Sequence, residues 1–526
     1  MSFVLALFPI LLSILLLVWL KLSSRLTLFF AWLSAVLIAM FFWNMNVLEL
    51  SAWTVLGGLK AIDIILIISG AILLLNVLKH SGGMRAIEKS LMAISVDARV
   101  QALLIGWFFV SFMEGAAGFG VPAALAAPLL VSAGFAPLAA VAFALICNGT
   151  ATAFGAAGTP MLTELSIVAG QVDGGAVVAL TAGIHAVVGL IVPLVGMFVL
   201  LKMQKIDNFK RRFIEIIPFT LVAAAAFVVP YLTLALIFGV ELPSIVGAVV
   251  GLLVVVLITK KGWLVPKRHL TLELQAEIKT KNIHPKKMGT LRAWLPYLMI
   301  VVILVLTRLP FWDLGSWLKG VGFAWTDILG VAGAGHTIAP LWSPGVWFIV
   351  VAVITIFLHG VRSRGVGEIL KNTGKQVWGA AVALVFGVAL TQVMINSGGE
   401  ETLSMVGAIA MGLSQALGPV YLAISPVLGI LGAFVSGSNT VANMLFTPSQ
   451  FASATALGLP TTLILALQCV GGSFGNIVAI NNVVAASATV GLTGQEGRVI
   501  KTNFIPLLIF TVLIVVVSLV IYQFLR

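Results

Sequence analysis

Apolar runs of about 20 residues recur along the whole chain, and a helix of that length crosses the hydrocarbon core of a bilayer. The first run is Phe3 to Leu20, and others cover about 213–236, 243–259, 293–309 and 345–360. The polar stretches between them are short. No Lys or Arg precedes the first run and no small-residue cleavage pattern follows it, so it reads as a retained span and not a signal peptide. The pattern predicts an all-α chain of spanning helices joined by loops.

Composition agrees. Of 526 residues, 60% are apolar and only 9% charged, which leaves too little for the charged shell of a soluble domain. The net charge of +12 first suggests nucleic acid, but its distribution excludes that reading. Lys and Arg cluster in 202–212, in the basic loop 260–292 and in 362–375. Two spans separate the first cluster from the second, and two more separate the second from the third. All three loops therefore fall on one side, the cytoplasmic side of a positive-inside protein. Both termini then fall on the periplasmic side of a bacterial inner membrane. Cys147 and Cys469 lie in apolar segments and make neither a disulfide framework nor a metal site.

The chain also repeats itself. Ser81-Gly82-Gly83 recurs as Ser397-Gly398-Gly399, and Phe112 with Gly115 recurs as Phe434 with Gly437. Ala144-Leu145 with Cys147 and Gly149 recurs as Ala466-Leu467 with Cys469 and Gly471. Phe154-Gly155 recurs as Phe474-Gly475. The first Ser-Gly-Gly is flanked by Lys79, Arg85 and Lys89, the second by Glu400 and Glu401, so equivalent segments face opposite sides. That predicts two inverted-topology repeats, 1–212 and 345–526, with connecting spans in 213–344. About 12–14 transmembrane segments are expected, re-entrant hairpins at about 98–134 and 420–458 included. A sequence folded twice in opposite senses can open to either side in turn, the simplest source of alternating access.

In each half one stretch is too rich in Gly and Pro to be a plain span: Phe112 to Pro122 in the first, Phe434 to Thr440 and on to Pro448 in the second. Helix breaks at membrane depth are tolerated only where protein or an aqueous cavity satisfies the freed backbone. Paired breaks at corresponding positions are the best sequence pointer to a transporter's binding site. The free N–H groups of a half-helix N-terminus form an anion site without a fixed cation. Gly115, Ala116 and Gly118 in the first stretch, and Ser436, Gly437, Ser438, Asn439 and Thr440 in the second, are therefore candidate substrate ligands. A second pair of breaks adds Asn148 and Thr150, near Thr152, Gly155, Thr159 and Pro160, and Asn476 and Asn481, near Asn482. Hydroxyls and amides there suit a small carboxylate carrying a hydroxyl.

Glu114 is ionisable at hairpin depth, opposite a neutral Ser436 in the repeat. Intramembrane carboxylates are costly and usually functional, and one that gains and loses a proton suits a coupling role. His185, in mid-span, reads equally as a proton relay or as a hydrogen-bonded interior histidine. Glu164 and Asp173 read as surface groups at the outer face. Arg308 and Arg362, at span ends, read as snorkelling. Gly471 to Gly475 fits G-x-S-x-G but has no preceding strand. Gly118-Phe119-Gly120 falls short of a dinucleotide fingerprint for the same reason. No metal-ligand cluster, Ser–His pair or paired catalytic carboxylates point to an enzyme, a catalytic residue or a cofactor.

At these motifs the sequence resembles the bacterial lactate permease family. The resemblance rests on Glu114 to Gly120, on Ser436-Gly437-Ser438-Asn439-Thr440-Val441, and on Gly475-Asn476 with Ile480-Asn481-Asn482. It implies uptake of lactate, or in some members glycolate, together with a proton. The chain departs from the family at Asn148-Gly149-Thr150-Ala151, where Asn-Thr-Ala-Pro is expected, which points to a related 2-hydroxy monocarboxylate. The nearest rival is a sodium-coupled carboxylate transporter with amides near Asn148 and Asn439 on the ion. In either case the expected partners are the substrate, the coupling ion and the lipid bilayer. A homo-oligomer is compatible, and nucleic acid is not. The expected mechanism seats the carboxylate between the hairpin tips, puts the proton on Glu114 and slides or rocks the repeat-bearing core against a scaffold.

Overall fold

The structure is a computed structural model that describes residues 2–18, 20, 22–118, 121–272, 288–308, 314–398, 403–492 and 495–525. The first half comprises α1 (Ser2–Val18), α2 (Ser24–Phe42), α3 (Val47–Ser81), α4 (Gly83–Met92), α5 (Ala98–Leu103), α6 (Val110–Ala116), α7 (Val121–Ser132), α8 (Pro137–Asn148), α9 (Gly155–Ile167), α10 (Gly174–Gly189) and α11 (Val192–Met203). A π-helical turn, Leu104–Phe109, joins α5 to α6. The connecting region holds α12 (Phe209–Phe238), α13 (Pro243–Lys260), α14 (Thr290–Arg308) and α15 (Leu314–Gly320). It also holds two short strands, β1 (Phe323–Trp325) and β2 (His336–Ile338), paired antiparallel with 323 opposite 338. The second half comprises α16 (Pro344–Leu358), α17 (Ser363–Ile395), α18 (Met405–Leu417), α19 (Tyr421–Ser436), α20 (Asn439–Ala456), α21 (Thr461–Gly475), α22 (Ile480–Thr489) and α23 (Glu496–Leu525).

Among the described residues nine helices are long and apolar enough to cross a membrane, or ten if α8 and α9, bent by 66° at their junction, count as one broken span. Shorter apolar helices include α7, α16, α18 and most of α19. The chain is an all-α polytopic membrane protein. Most of the predicted basic loop (273–287), and Phe119, Gly120, Gly399, Glu400 and Glu401 of the sequence motifs, lie outside the described residues.

Both Gly-rich stretches are helical hairpins. In the first, α5, the π-turn and α6 run in and α7 runs back, so that Gly106 faces the Leu130 side chain. In the second, α19 and α20 are joined by two residues. Gly432 lies against Ala442 and Phe446, and Gln450 Nε2 donates to Ser425 O at 2.8 Å. Gly437 takes φ +74° at the turn, a conformation that costs glycine nothing. Ser438 caps α20, its Oγ accepting from Val441 N.

The packing exchanges the halves. α2 lies on α17 while α16 lies on α3, α7 meets α22 while α20 meets α9, and α8 meets α23 while α10 meets α21. The long helices α3 and α17 pack side by side and antiparallel: Gly57 faces the Ala389 backbone at one end, and Asn76 Nδ2 donates to Thr373 Oγ1 at 3.0 Å at the other.

Candidate functional site

The two hairpin tips and the two broken helices surround one small cavity. Its walls are Glu114 and Gly118 from the first hairpin and Gly437, Ser438, Asn439 and Thr440 from the second. The α8–α9 break adds Asn148, Thr152, Gly155, Ala156, Thr159 and Pro160, and the α21–α22 break adds Asn476 and Asn482. Among the described residues no Lys or Arg lines it, and Glu114 is the one ionisable wall group.

Local sequence explains why the walls are shaped this way. After α8 the chain makes three consecutive left-handed residues, Ala156, Ala157 and Gly158, before helix resumes. A left-handed L-alanine costs about 1–2 kcal/mol, and strain of this kind collects where a site over-determines the backbone. Pro160 supplies no N–H, and Thr159 Oγ1 donates to Ala156 O at 2.6 Å. The connecting region braces the break from outside, Ser244 Oγ donating to Ala151 O at 2.7 Å.

On the opposite wall α20 presents its N-terminus. Its first helical donor is Ala442 N to Ser438 O, so the N–H groups of Asn439 and Thr440 precede the helix ladder at the cavity wall. The Asn439 amide is clamped from behind, Nδ2 donating to Cys469 O at 3.1 Å and Ser473 Oγ at 3.0 Å, while the buried Oδ1 has no partner. Asn482 Nδ2 donates to Asn476 Oδ1 at 3.0 Å, and Thr152 Oγ1 donates to Asn148 O at 2.9 Å. Glu114 Oε2 and Asn148 Oδ1 are also buried without a partner, although the two side chains lie within interaction range. Three buried polar atoms without partners at one cavity are unusual in a folded protein and suit a site that receives a polar ligand.

The sequence candidates divide. Glu114, Gly118, Asn148, Gly437, Ser438, Asn439, Thr440 and Asn476 reach the cavity wall. Gly115 instead lets α6 approach the backbone of Ile245, and Ala116 is buried in the core cluster. Thr150 Oγ1 accepts from Trp107 Nε1 at 3.0 Å. Ser436 Oγ donates to Gly432 O at 2.7 Å and accepts from Ser438 N, closing the hairpin turn. Asn481 supports the same tip, Nδ2 donating to Ser436 O at 3.1 Å. His185 is only 2% exposed and stacks on Phe474 at 5.4 Å, away from the cavity wall.

One expectation is corrected outright. Glu164 is not a surface group but is fully buried, with Asn443 Nδ2 3.5 Å from its Oε2. The α9 helix turns it toward the second hairpin, so its place in the sequence near the end of an apolar run misleads. Asp173 does lie at the surface, capping α10 through Ala176 N. Asn482, Thr152 and Thr159 stand in the broken segments but were not among the candidate ligands. Their signal is proximity to the Gly and Pro breaks.

Comparison with known proteins agrees in one direction. The family described as L-lactate permease matches residues 2–525. The L-lactate permease of Streptococcus iniae is 32% identical over 75% of this chain and 78% of its own. That of Escherichia coli strain K12 is 29% identical over 98% of this chain and 95% of its own, and that of Bacillus subtilis strain 168 is 28% identical over 86% and 83%. Among solved structures, the YdaH transporter of Alcanivorax borkumensis is 17% identical, with a TM-score of 0.43, over 89% of this chain and 86% of that chain.

Proposed function

Because this chain belongs to the L-lactate permease family, we propose that it takes up lactate or a related 2-hydroxy monocarboxylate such as glycolate, with a proton, across the bacterial inner membrane. The observation that carries this reading is the cavity itself: a helix N-terminus, clustered amides and one carboxyl group, with no fixed cation. A substrate carboxylate accepts hydrogen bonds from the N–H groups of Asn439 and Thr440, favoured by the positive end of α20. The substrate hydroxyl and the second carboxylate oxygen face the amides of Asn148, Asn476 and Asn482.

Glu114 then sets the coupling. Two carboxylates confined in this one small cavity repel unless one is neutral. Binding of the anion therefore goes with a proton on Glu114, so the loaded site carries one negative charge, the substrate's, instead of two. Alternating exposure is supplied by two inverted repeats, 1–212 and 345–526, around the connecting spans. The antiparallel packing of α3 on α17 supports that relation, because equivalent helices run opposite ways only when the repeats are inverted. On this reading both termini are periplasmic.

Radiolabelled L-lactate uptake into proteoliposomes tests it, with an imposed proton gradient and then a sodium gradient, for wild type and Glu114→Gln. Proton-driven accumulation in wild type that falls to background in Glu114→Gln is the expected result. Accumulation driven by sodium alone, or concentrative proton-driven uptake by the variant, overturns the coupling assigned to Glu114.

A further inference from the structure

A second carboxylate lies one helical turn behind the cavity. Pro160 and Asn439 are wall residues. Four residues on from each, on the same helix faces, stand Glu164 of α9 and Asn443 of α20. Asn443 Nδ2 donates to Pro160 O at 3.1 Å and lies 3.5 Å from Glu164 Oε2 and 3.6 Å from Cys469 Sγ. Its Oδ1 accepts from Gln468 Nε2 at 3.2 Å, Gln468 Oε1 accepts from Gln450 Nε2 at 3.0 Å, and Gln450 Oε1 accepts from Tyr421 OH at 2.9 Å. A buried chain of amides thus runs from Glu164 into the second hairpin. Glu164 Oε1 is buried and makes no full hydrogen bond among the described residues, with the Cys469 thiol and the Thr447 hydroxyl beside the carboxyl group.

Among the described residues no cation lies directly against Glu164. α20 carries no titratable side chain. Of the other elements on α9, α21 presents the Cys469 thiol and α6 presents Glu114 across the cavity. α3 presents Lys60, whose Nζ donates to Ser166 O and Gln392 Oε1. Glu241 lies just before α13, next to Val240, which faces Gly158. The ionisable residues of α17 all lie within 364–375, far along the helix from Gln392, and α13 has only Lys260 at its far end. A charged Glu164 in this closed arrangement would be a buried, half-partnered anion, whereas a neutral carboxyl fits it.

We infer that Glu164 is a second proton-binding group, and that its protonation seats α20 on α9 and so closes the second hairpin over the loaded cavity. Loss of the proton to water leaves a carboxylate that demands solvation. The Asn443 contacts to Pro160 and Glu164 are the ones that must part for water to reach it. Glu164 thereby acts on the hairpin and not on the substrate. This inference rests on the proposed lactate–proton reading but is tested apart from it.

Cys469 is the reporter. It is fully buried, and both amides that cover it, Asn439 and Asn443, belong to α20. In a Cys147→Ser background, the rate of N-ethylmaleimide labelling of Cys469 is measured in substrate-free proteoliposomes between pH 6 and pH 8. Dividing by the rate for Glu164→Gln at the same pH removes the intrinsic ionisation of the thiol. The ratio is expected to rise with pH by up to about tenfold per unit, the limit for one titrating group, and Glu114→Gln is expected to keep that rise. A ratio that stays flat, or a Glu164→Gln protein that labels fast at every pH while monodisperse on size exclusion, overturns the inference. Should Glu164→Gln fail to fold, Asn443→Ala decides: labelling that is fast at every pH once the thiol's own ionisation is divided out supports it, and protection equal to wild type overturns it. L-Lactate uptake by wild type is scored separately, so failure of the lactate–proton reading shows as loss of uptake whatever Cys469 reports.

Discussion

A methyl group added at Gly155 would fall on Glu114 Oε1, because the wall of the broken helix passes directly over that carboxylate. Gly155→Ala is therefore expected to displace Glu114 and cut proton-driven L-lactate uptake at least about tenfold, equivalent to about 1.4 kcal/mol, with normal membrane levels. Gly183→Ala is the control. That position has open space around it in the middle of α10, where alanine is the better helix former by up to about 1 kcal/mol. Equal uptake by the two variants would show that Glu114 needs no fixed position. At this scale the sequence is only partly legible. The Glu114 motif stands out because charge in an apolar run is costly, and Asn148, Asn439 and Asn476 because each lies within two residues of a glycine. What could not be read is which way a small polar side chain turns. Thr150 serves Trp107, Ser436 serves its own turn, and Glu164 is hidden behind Asn443. Each outcome depends on a neighbour more than 40 residues away or on a local cap, and Ser, Thr and Asn are equally suited to both uses.

The second hairpin is held at its tip by few bonds. Gly437 must remain left-handed, and a side chain there would strike Asn481. Asn481 in turn donates to Ser436 O from α22. Asn481→Ala removes that one link without touching the cavity wall, and loss of one buried partner costs about 1–3 kcal/mol. A raised KM for L-lactate in proteoliposomes, with kcat changed less, is expected, because the N–H groups of Asn439 and Thr440 lose their fixed placement. An unchanged KM would mean that Ser436, Ser438 and Gly437 define the tip alone. The helix breaks at the two tips follow from Gly118 and Gly437, which take positive φ, whereas Pro122 lies in the first turn of α7 and Pro448 sits inside α20 without breaking it. The π-helical turn at Leu104–Phe109 and the left-handed Ala156-Ala157 were not legible. Nothing in an apolar run marks a change of helical pitch, and alanine favours the right-handed helix unless tertiary packing overrides it.

Across the whole molecule the pairwise exchange of the halves is incomplete, most visibly at the long helices. α3 meets α9, and α17 meets α20. The equivalents under the proposed repeat, α17 with α22 and α3 with α7, have no comparable packing among the described residues. The long antiparallel pair α3–α17 thus holds one side of the hairpin core: Thr391 Oγ1 donates to Met444 O at 2.9 Å, and Lys60 reaches Ser166 O. If two related sequences can each make the same interface, an arrangement with α7 and α22 against the pair is close in energy to the one seen. Transport then requires the core to leave α17 in each cycle. Linking the two bodies where they touch tests this. A protein with Thr391→Cys and Met444→Cys, and with its native thiols at 147 and 469 replaced, is treated with a short dimaleimide. Uptake of L-lactate is expected to stop in the cross-linked fraction, while the untreated double variant and each treated single variant continue. Binding of L-lactate to the cross-linked protein should survive, because neither position lines the cavity. Uptake at the untreated rate after complete cross-linking would show that α17 and α20 move together, and the scaffold would then have to be sought elsewhere, in α12 and α13.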